Sequence, residues 1–181
     1  MATKYSTQNI SAVINRKVFF DANILIYVFW PSGAQHWENI YSAAYAKLLR
    51  QGNEMLVDFI VISEIVNRAI RLEHEKFLIA NNLNRNNLPF KRYRNSNEGK
   101  TALADIYLMI ETDILSSFTI VGKSFTKQEI NSFLSVDSLD FGDKGILLIC
   151  QENTCILLTN DIDYKTSDID ILTSNTNFFT N

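Results

Sequence analysis

The sequence predicts an α/β fold, a three-layer α/β/α sandwich with a mainly parallel central sheet. Three observations predict it. Short, almost wholly apolar runs recur at about 17–20, 55–58, 118–121, 155–159 and 169–172, as strands buried on both faces require. Longer stretches between them repeat their apolar residues at helical spacing. The alternation of the two implies right-handed crossovers between parallel strands.

The elements follow in order. A helix starts just after Asp21. The next spans roughly 35–51, where Trp37, Ile40, Tyr41, Ala44, Tyr45 and Leu48 share one face. A long helix covers about 59–80 and another about 99–117, with shorter ones at about 126–134 and 140–153. The stretch 81–98, rich in Asn and broken by Pro89, reads as a loop between the two long helices. Residues 65–117 then form a helical hairpin that projects from the sheet. Residues 1–16 read as an N-terminal extension, and 1–181 as one domain of ordinary size.

Composition narrows the function classes. Hydrophobic residues make up 46% and charged residues 20% of the chain, as in a soluble globular protein. No apolar run is long enough to span a membrane, and the polar N-terminus lacks the apolar core of a signal peptide, so a cytoplasmic protein is expected. Cys150 and Cys155 give no disulfide framework, and the isolated His36 and His74 give no zinc site. The net charge of −3 hides an asymmetry. Residues 1–100 hold 13 Lys/Arg and 8 Asp/Glu, a balance of +5, whereas 101–181 hold 4 and 12, a balance of −8. A basic part that gathers a polyanion beside an acidic part that holds cations would have this distribution.

The acids fall where a parallel sheet places its ligands, beyond the carboxyl ends of the strands. Asp21 interrupts the apolar "VFFDANILIYVF". Glu64 lies in the helix after the second strand, Asp140 and Asp143 open the helix before the fourth, and Asp161 and Asp163 follow that strand. Each has an ordinary reading alone. Asp21 and Asp140 suit helix N-caps and Asp143 a first turn, Glu64 pairs with Arg68 at i,i+4, and Asp161 and Asp163 suit a turn. Together they would repel one another unless a hard divalent cation reversed the sign.

These segments, "VFFDANILIYVF", "VISEIVNR", "DFGDKGILLICQENTCILLTNDIDY" and "IDILT", resemble the PIN-domain nucleases, and among them the VapC-type toxins of bacterial toxin–antitoxin pairs. The resemblance covers about 17–72 and 118–173. It implies an acidic pocket that binds Mg²⁺ or Mn²⁺ and hydrolyses RNA, leaving 5′-phosphate and 3′-hydroxyl ends. Asp21, Glu64, Asp143 and Asp161 match the four family acids. Asp21, Asp143 and Asp161 would hold the metal, with Glu64 acting through a water. Asp163 matches a further acid, Asn23 and Thr159 match polar residues that orient carboxylates, and Asp140 competes with Asp143 for the third place. The family usually has a small hydroxyl residue where this chain has Ala22, and Ala where it has Lys144.

An acidic pocket repels RNA, so basic residues must gather the phosphates. The candidates are Arg68, Arg71, Arg85, Lys91, Arg92 and Arg94, with Tyr93 and Phe90 available to stack bases. A solvated loop or a surface for a protein partner is the alternative. The resemblance further implies an antitoxin partner. Leu103, Ile106, Tyr107 and Ile110 could seam a homodimer or belong to the core. Two other functions compete: a catalytically silent PIN scaffold that binds RNA or protein, and a phosphatase of the haloacid dehalogenase type. The latter is weakened because Asn23 and Ile24 stand where that motif wants Asp and Gly.

Overall fold

The computed structural model describes residues 2–180. Six strands form one sheet, β1 (Lys4–Ser6), β2 (Lys17–Phe20), β3 (Glu54–Val57), β4 (Thr119–Ile120), β5 (Ile156–Leu158) and β6 (Ile171–Thr173). Their order is β1-β6-β5-β2-β3-β4, and every pairing is parallel. Four of the five apolar runs are buried as the sequence requires: β5 and β6 have no exposed residue, and only the first residues of β2 and β3 reach solvent; the fifth, at the edge strand β4, has both strand residues exposed.

The crossovers fix the layers. From β2 the chain steps outward to β3 and β4 by way of α1 (Ala22–Phe29), α2 (Gln35–Arg50), α3 (Phe59–Ala80), α4 (Phe90–Asn95) and α5 (Asn97–Met109). A last short helix, α6 (Leu115–Ser117), leads into β4; the chain then returns through α7 (Lys127–Ser132) and α8 (Phe141–Asn153), and continues past β2 in the other direction, to β5 and β6. Right-handed crossovers place helices reached in opposite directions on opposite faces. On the first face α1 packs on α2 and α3, and α3 packs on α5. Phe20 on β2 meets Phe118 edge-on at 5.1 Å and Tyr45 of α2 at 5.9 Å, which ties that layer to the sheet.

Three expectations need correction. Residues 1–16 are not a mere extension, because Lys4–Ser6 pairs with Ile171–Thr173 as an edge strand and Thr7–Ala12 forms a 3₁₀ turn leading towards β2. Three polar-looking residues gave no period to read. The loop over 81–98 contains α4, started by Pro89, whose fixed φ suits the residue preceding a helix. The helix predicted to reach 117 passes through a π turn over Ile110–Ile114 before α6. The hairpin itself is present, with Gly99 at its tightest approach: a Cβ there would lie 2.1 Å from the Tyr93 carbonyl oxygen. Ile106 and Ile110 are buried in the core, so their part of the dimer seam falls away, whereas Tyr107 is 56% exposed.

Candidate active site

The strand order creates a crevice. The chain leaves β2 towards β3 and leaves β5 towards β6, in opposite directions, so the carboxyl ends of these neighbouring strands diverge. Ligands of open α/β sheets occupy such a point. Asp21 follows β2 immediately, and Thr159 to Asp161 follow β5.

Asp21 is 4% exposed. It caps α1, its Oδ1 accepting the Ala22 N–H at 2.7 Å. Its Oδ2 accepts the Thr159 hydroxyl and the Asn23 side-chain amide, each at 2.6 Å. Thr159 in turn accepts the Asp161 N–H at 3.0 Å, so one hydroxyl joins the two strand ends. All of Asp21's partners are neutral, and among the described residues no Lys or Arg pairs with it. Burial pushes its carboxyl up to about 7. The Thr159 hydroxyl pulls it back, while the charges of Glu64 and Asp143 push the same way as burial.

Asp143 stands in the first turn of α8, which Asp140 caps by accepting the Asp143 N–H at 2.9 Å. The Tyr164 hydroxyl donates to Asp143 Oδ1 at 2.6 Å. Burial raises the Asp143 carboxyl to about 6, the tyrosine opposes this, and the charges of Asp140 and Asp161 raise it further. Lys144, next in sequence, does not neutralise it: its ammonium turns to Asp137 at 2.9 Å and to the carbonyl of Phe133. Glu64 projects from α3 and pairs with Arg68 at 3.0 Å. Asp161 caps the 3₁₀ turn Ile162–Thr166 by accepting the Asp163 N–H, and the Asp163 side chain is exposed.

Five of the sequence-derived acids are thus linked by charge: Glu64 and Asp143 act on Asp21, and Asp140 and Asp161 act on Asp143. Among the described residues no three His, Cys, Asp or Glu side chains are close enough to form a ready-made metal cage. The ordinary capping and pairing roles are also real: Asp21, Asp140 and Asp161 each cap a helix or 3₁₀ turn, and Glu64 pairs with Arg68.

No family model matches the sequence, and no curated protein does. The chain is similar to a solved structure of VapBC2 from Rickettsia felis bound to a DNA fragment from their promoter. The TM-score is 0.48 and the identity 14%, over 87% of this chain and 98% of that one. At that level the likeness says nothing of activity.

Residues that the sequence did not single out complete the site. Tyr164 is fully buried, and both burial and the nearby charges of Asp21 and Asp143 raise its hydroxyl, so it remains a donor. Tyr41 donates to Asn160 Oδ1 at 2.8 Å and accepts the Ser174 N–H, bracing the loops after β5 and β6. Asp58 follows β3, is buried, and caps α3 by accepting the Val61 N–H at 2.8 Å. Its place just after a strand was the available signal. Tyr164, as the last residue of "NDIDY", offered none beyond its size.

The basic candidates divide. Arg68, Arg71 and Arg85 line one cavity of about 470 Å³ with Tyr27 and Phe90, and Arg68 ties it to Glu64. Arg94 lines another, between α3 and α5. Lys91 and Arg92 are exposed on α4. Tyr93 is a correction: it is 3% exposed, with its ring stacked on His74 at 5.0 Å and against Phe77, and cannot receive a base.

Proposed function

We propose that this protein is a divalent-metal-dependent endoribonuclease of the PIN-domain type, with its site at the carboxyl ends of β2 and β5. The observation that carries the proposal is Asp21, a buried carboxylate held by neutral donors alone and pressed upon by two further acids. A cap does not need the repulsion. A cation accounts for it.

The residues fit a hard divalent ion. The donors are carboxylate oxygens, and Mg²⁺ commonly takes only one or two carboxylates and completes its octahedron with water and substrate phosphate. A cage of three converging acids is therefore not required. Asp21 and Asp143 would hold Mg²⁺ or Mn²⁺, with Asp161 and Glu64 reaching it through water. When bound, the ion supplies charge stabilisation at the phosphate and acidifies a water.

The chain's own residues do the rest. Asn23 and Thr159 fix the direction of the Asp21 carboxylate, and Tyr164 fixes Asp143. Glu64, held by Arg68 at 3.0 Å, would orient a water. The arginines beside the crevice gather the RNA strand that the acids would otherwise repel. The resemblance of the motifs to VapC-type toxins extends the proposal to a toxin held by an antitoxin. Growth arrest on expression, relieved by Asp21→Asn, tests that step.

An RNA-cleavage assay in Mg²⁺ or Mn²⁺ and in EDTA, beside Asp21→Asn and Asp143→Asn, tests the nuclease. Cleavage should need metal and fail in both variants. Metal-dependent cleavage that survives both substitutions refutes the assignment. The absence of a close acid triad among the described residues favours one competitor, the silent scaffold. That reading is adopted if metal neither supports cleavage nor raises the melting temperature.

A further inference from the structure

Two thiols stand apart from the acids and have no part in their chemistry. Cys150 lies on the buried face of α8 and Cys155 directly precedes β5, so the pair sits at the edge of the sheet opposite the acids. The chain holds no other cysteine, and both are free thiols.

The turn between them brings them together. Thr154 ends the helix in the left-handed conformation, with φ 51°. The Thr154 N–H then bonds the Gln151 carbonyl at 3.2 Å, and the Cys155 N–H bonds the Cys150 carbonyl at 3.1 Å. In a helix end of this kind the side chains of the first and last residues, here Cys150 and Cys155, meet. The 3.1 Å bond keeps the two Cα atoms no more than about 7 Å apart, a span that a disulfide can bridge. The Cys155 side chain turns back over Cys150, its Sγ lying 3.5 Å from the Cys150 carbonyl oxygen.

Both thiols line one cavity of about 350 Å³, together with Arg16, Thr154 and Asp168. They are otherwise buried, Cys150 at 1% exposure and Cys155 at 4%. A molecule the size of hydrogen peroxide fits that cavity, whereas burial keeps out a bulky disulfide oxidant. The two thiols are not equivalent. Burial pushes the Cys150 thiol well up, while the Cys150 side chain and the Lys17 ammonium lower that of Cys155. Cys155 is therefore the one that forms the reactive thiolate.

We propose that Cys150 and Cys155 are a peroxide-sensitive pair that closes to a reversible intrachain disulfide. The Cys155 thiolate attacks one oxygen of hydrogen peroxide. The O–O bond breaks, hydroxide leaves and takes up a proton as water, and Cys155 becomes a sulfenic acid, its sulfur oxidised by two electrons. The Cys150 sulfur then attacks the Cys155 sulfur. The S–O bond breaks, and the Cys150 proton leaves with the hydroxide as a second water. Two thiols and one peroxide thus give one disulfide and two waters. Nothing in this step depends on the nuclease reading of the opposite edge.

The test treats the native full-length protein with about a tenfold molar excess of hydrogen peroxide and follows it by mass spectrometry. Trypsin cutting after Lys144 and Lys165 releases both cysteines in one segment, residues 145–165. In the wild type that segment should become lighter by two hydrogens, about 2 Da, the protein should stay monomeric on non-reducing gels, and dithiothreitol should restore both thiols. Cys150→Ser lacks the resolving thiol, so dimedone should trap at least tenfold more sulfenic acid in it than in the wild type. If that variant fails to fold, the wild-type measurement decides alone. The pair is refuted if the native wild type keeps both thiols, if it accumulates as much trapped sulfenic acid as Cys150→Ser, or if its disulfides join two chains. Closure that appears only in urea, where the turn is lost, refutes it as well.

Discussion

Replacing Asp21 by Asn should make the metal-free protein more stable at neutral pH, not less. In the folded chain the carboxyl is raised from 3.8 to about 7, chiefly by burial. The folded state therefore holds the proton more tightly than the unfolded chain. Stability from this group is fully present below pH 3.8, falls as the pH rises towards 7, and is flat above it. At about 1.36 kcal/mol per pH unit, ionising Asp21 costs the fold about 4 kcal/mol by pH 8. Asn removes that cost at every pH and introduces another. Its oxygen can accept from Ala22 N–H, and the Thr159 hydroxyl can turn to accept its amide. Its amide nevertheless faces the Asn23 amide, two donors together, at about 1–3 kcal/mol. The net gain near pH 8 is about 1–3 kcal/mol, and it reverses towards pH 5.

The pH dependence is the firmer quantity, because the donor clash is common to all pH values. Between pH 5 and 8 the difference in unfolding free energy between variant and wild type should change by about 2–3 kcal/mol. Urea unfolding in EDTA at pH 5, 6, 7 and 8 measures it. Saturating Mg²⁺ at pH 8 should then raise the wild-type stability and leave the Asp21→Asn variant unmoved. A difference that is the same at pH 5 and pH 8, to within about 0.5 kcal/mol, would show that Asp21 titrates as an ordinary surface acid, and the reasoning from its burial would fall.

Thr159→Val removes the hydroxyl shared by Asp21 and Asp161; it should cost about 1–3 kcal/mol in urea unfolding at pH 8 and less at pH 5, where Asp21 is protonated. Tyr164→Phe deletes the donor to Asp143, so the Asp143 carboxyl should rise above about 6; the acid limb of the cleavage pH profile should move to higher pH, and an unmoved limb would detach Tyr164 from the site. Asp58→Ser should retain the α3 cap within about 1 kcal/mol, since Ser caps nearly as well, and leave metal-dependent cleavage intact. Gly99→Ala drives a methyl group into the Tyr93 carbonyl; α4 must shift, and urea unfolding should show a loss of about 2 kcal/mol or more.

The layer order and most elements were legible because period and burial coincide. β2 and β5 are apolar almost throughout and buried to match, and α2 places its apolar stripe on the sheet. What escaped had no such coincidence. Lys4–Ser6 is an edge strand with half-exposed residues, so nothing in its composition required pairing. The short α4 has basic residues on its outside and one inward anchor, Tyr93, which the sequence offered equally well as a stacking surface. Its burial follows from the hairpin closing over His74, a contact between residues far apart in the pattern. Asp21 and Asp161 were legible as acids at strand ends, and Glu64 and Asp143 as acids on the adjoining helices, but their separation was not, because spacing in sequence fixes a residue's element and not its reach.

Asp21 and Asp58 show what separates a site from a cap. Both directly follow neighbouring strands, both are buried, both cap the next helix, and burial raises both carboxyls. A parallel sheet makes this coincidence common, since it brings the carboxyl ends of strands and the amino ends of helices to one edge, where an acid is favoured by the free N–H groups and the helix dipole. The distinction lies in the remaining neighbours. Asp58 is opposed by backbone N–H groups alone, so its arrangement is complete as a cap. Asp21 is acted on by Glu64 and Asp143 from two other helices, a repulsion that no capping role explains and that the proposed cation would relieve. The strand order decides which of the two stands at the diverging crevice, and it is the one the other acids face.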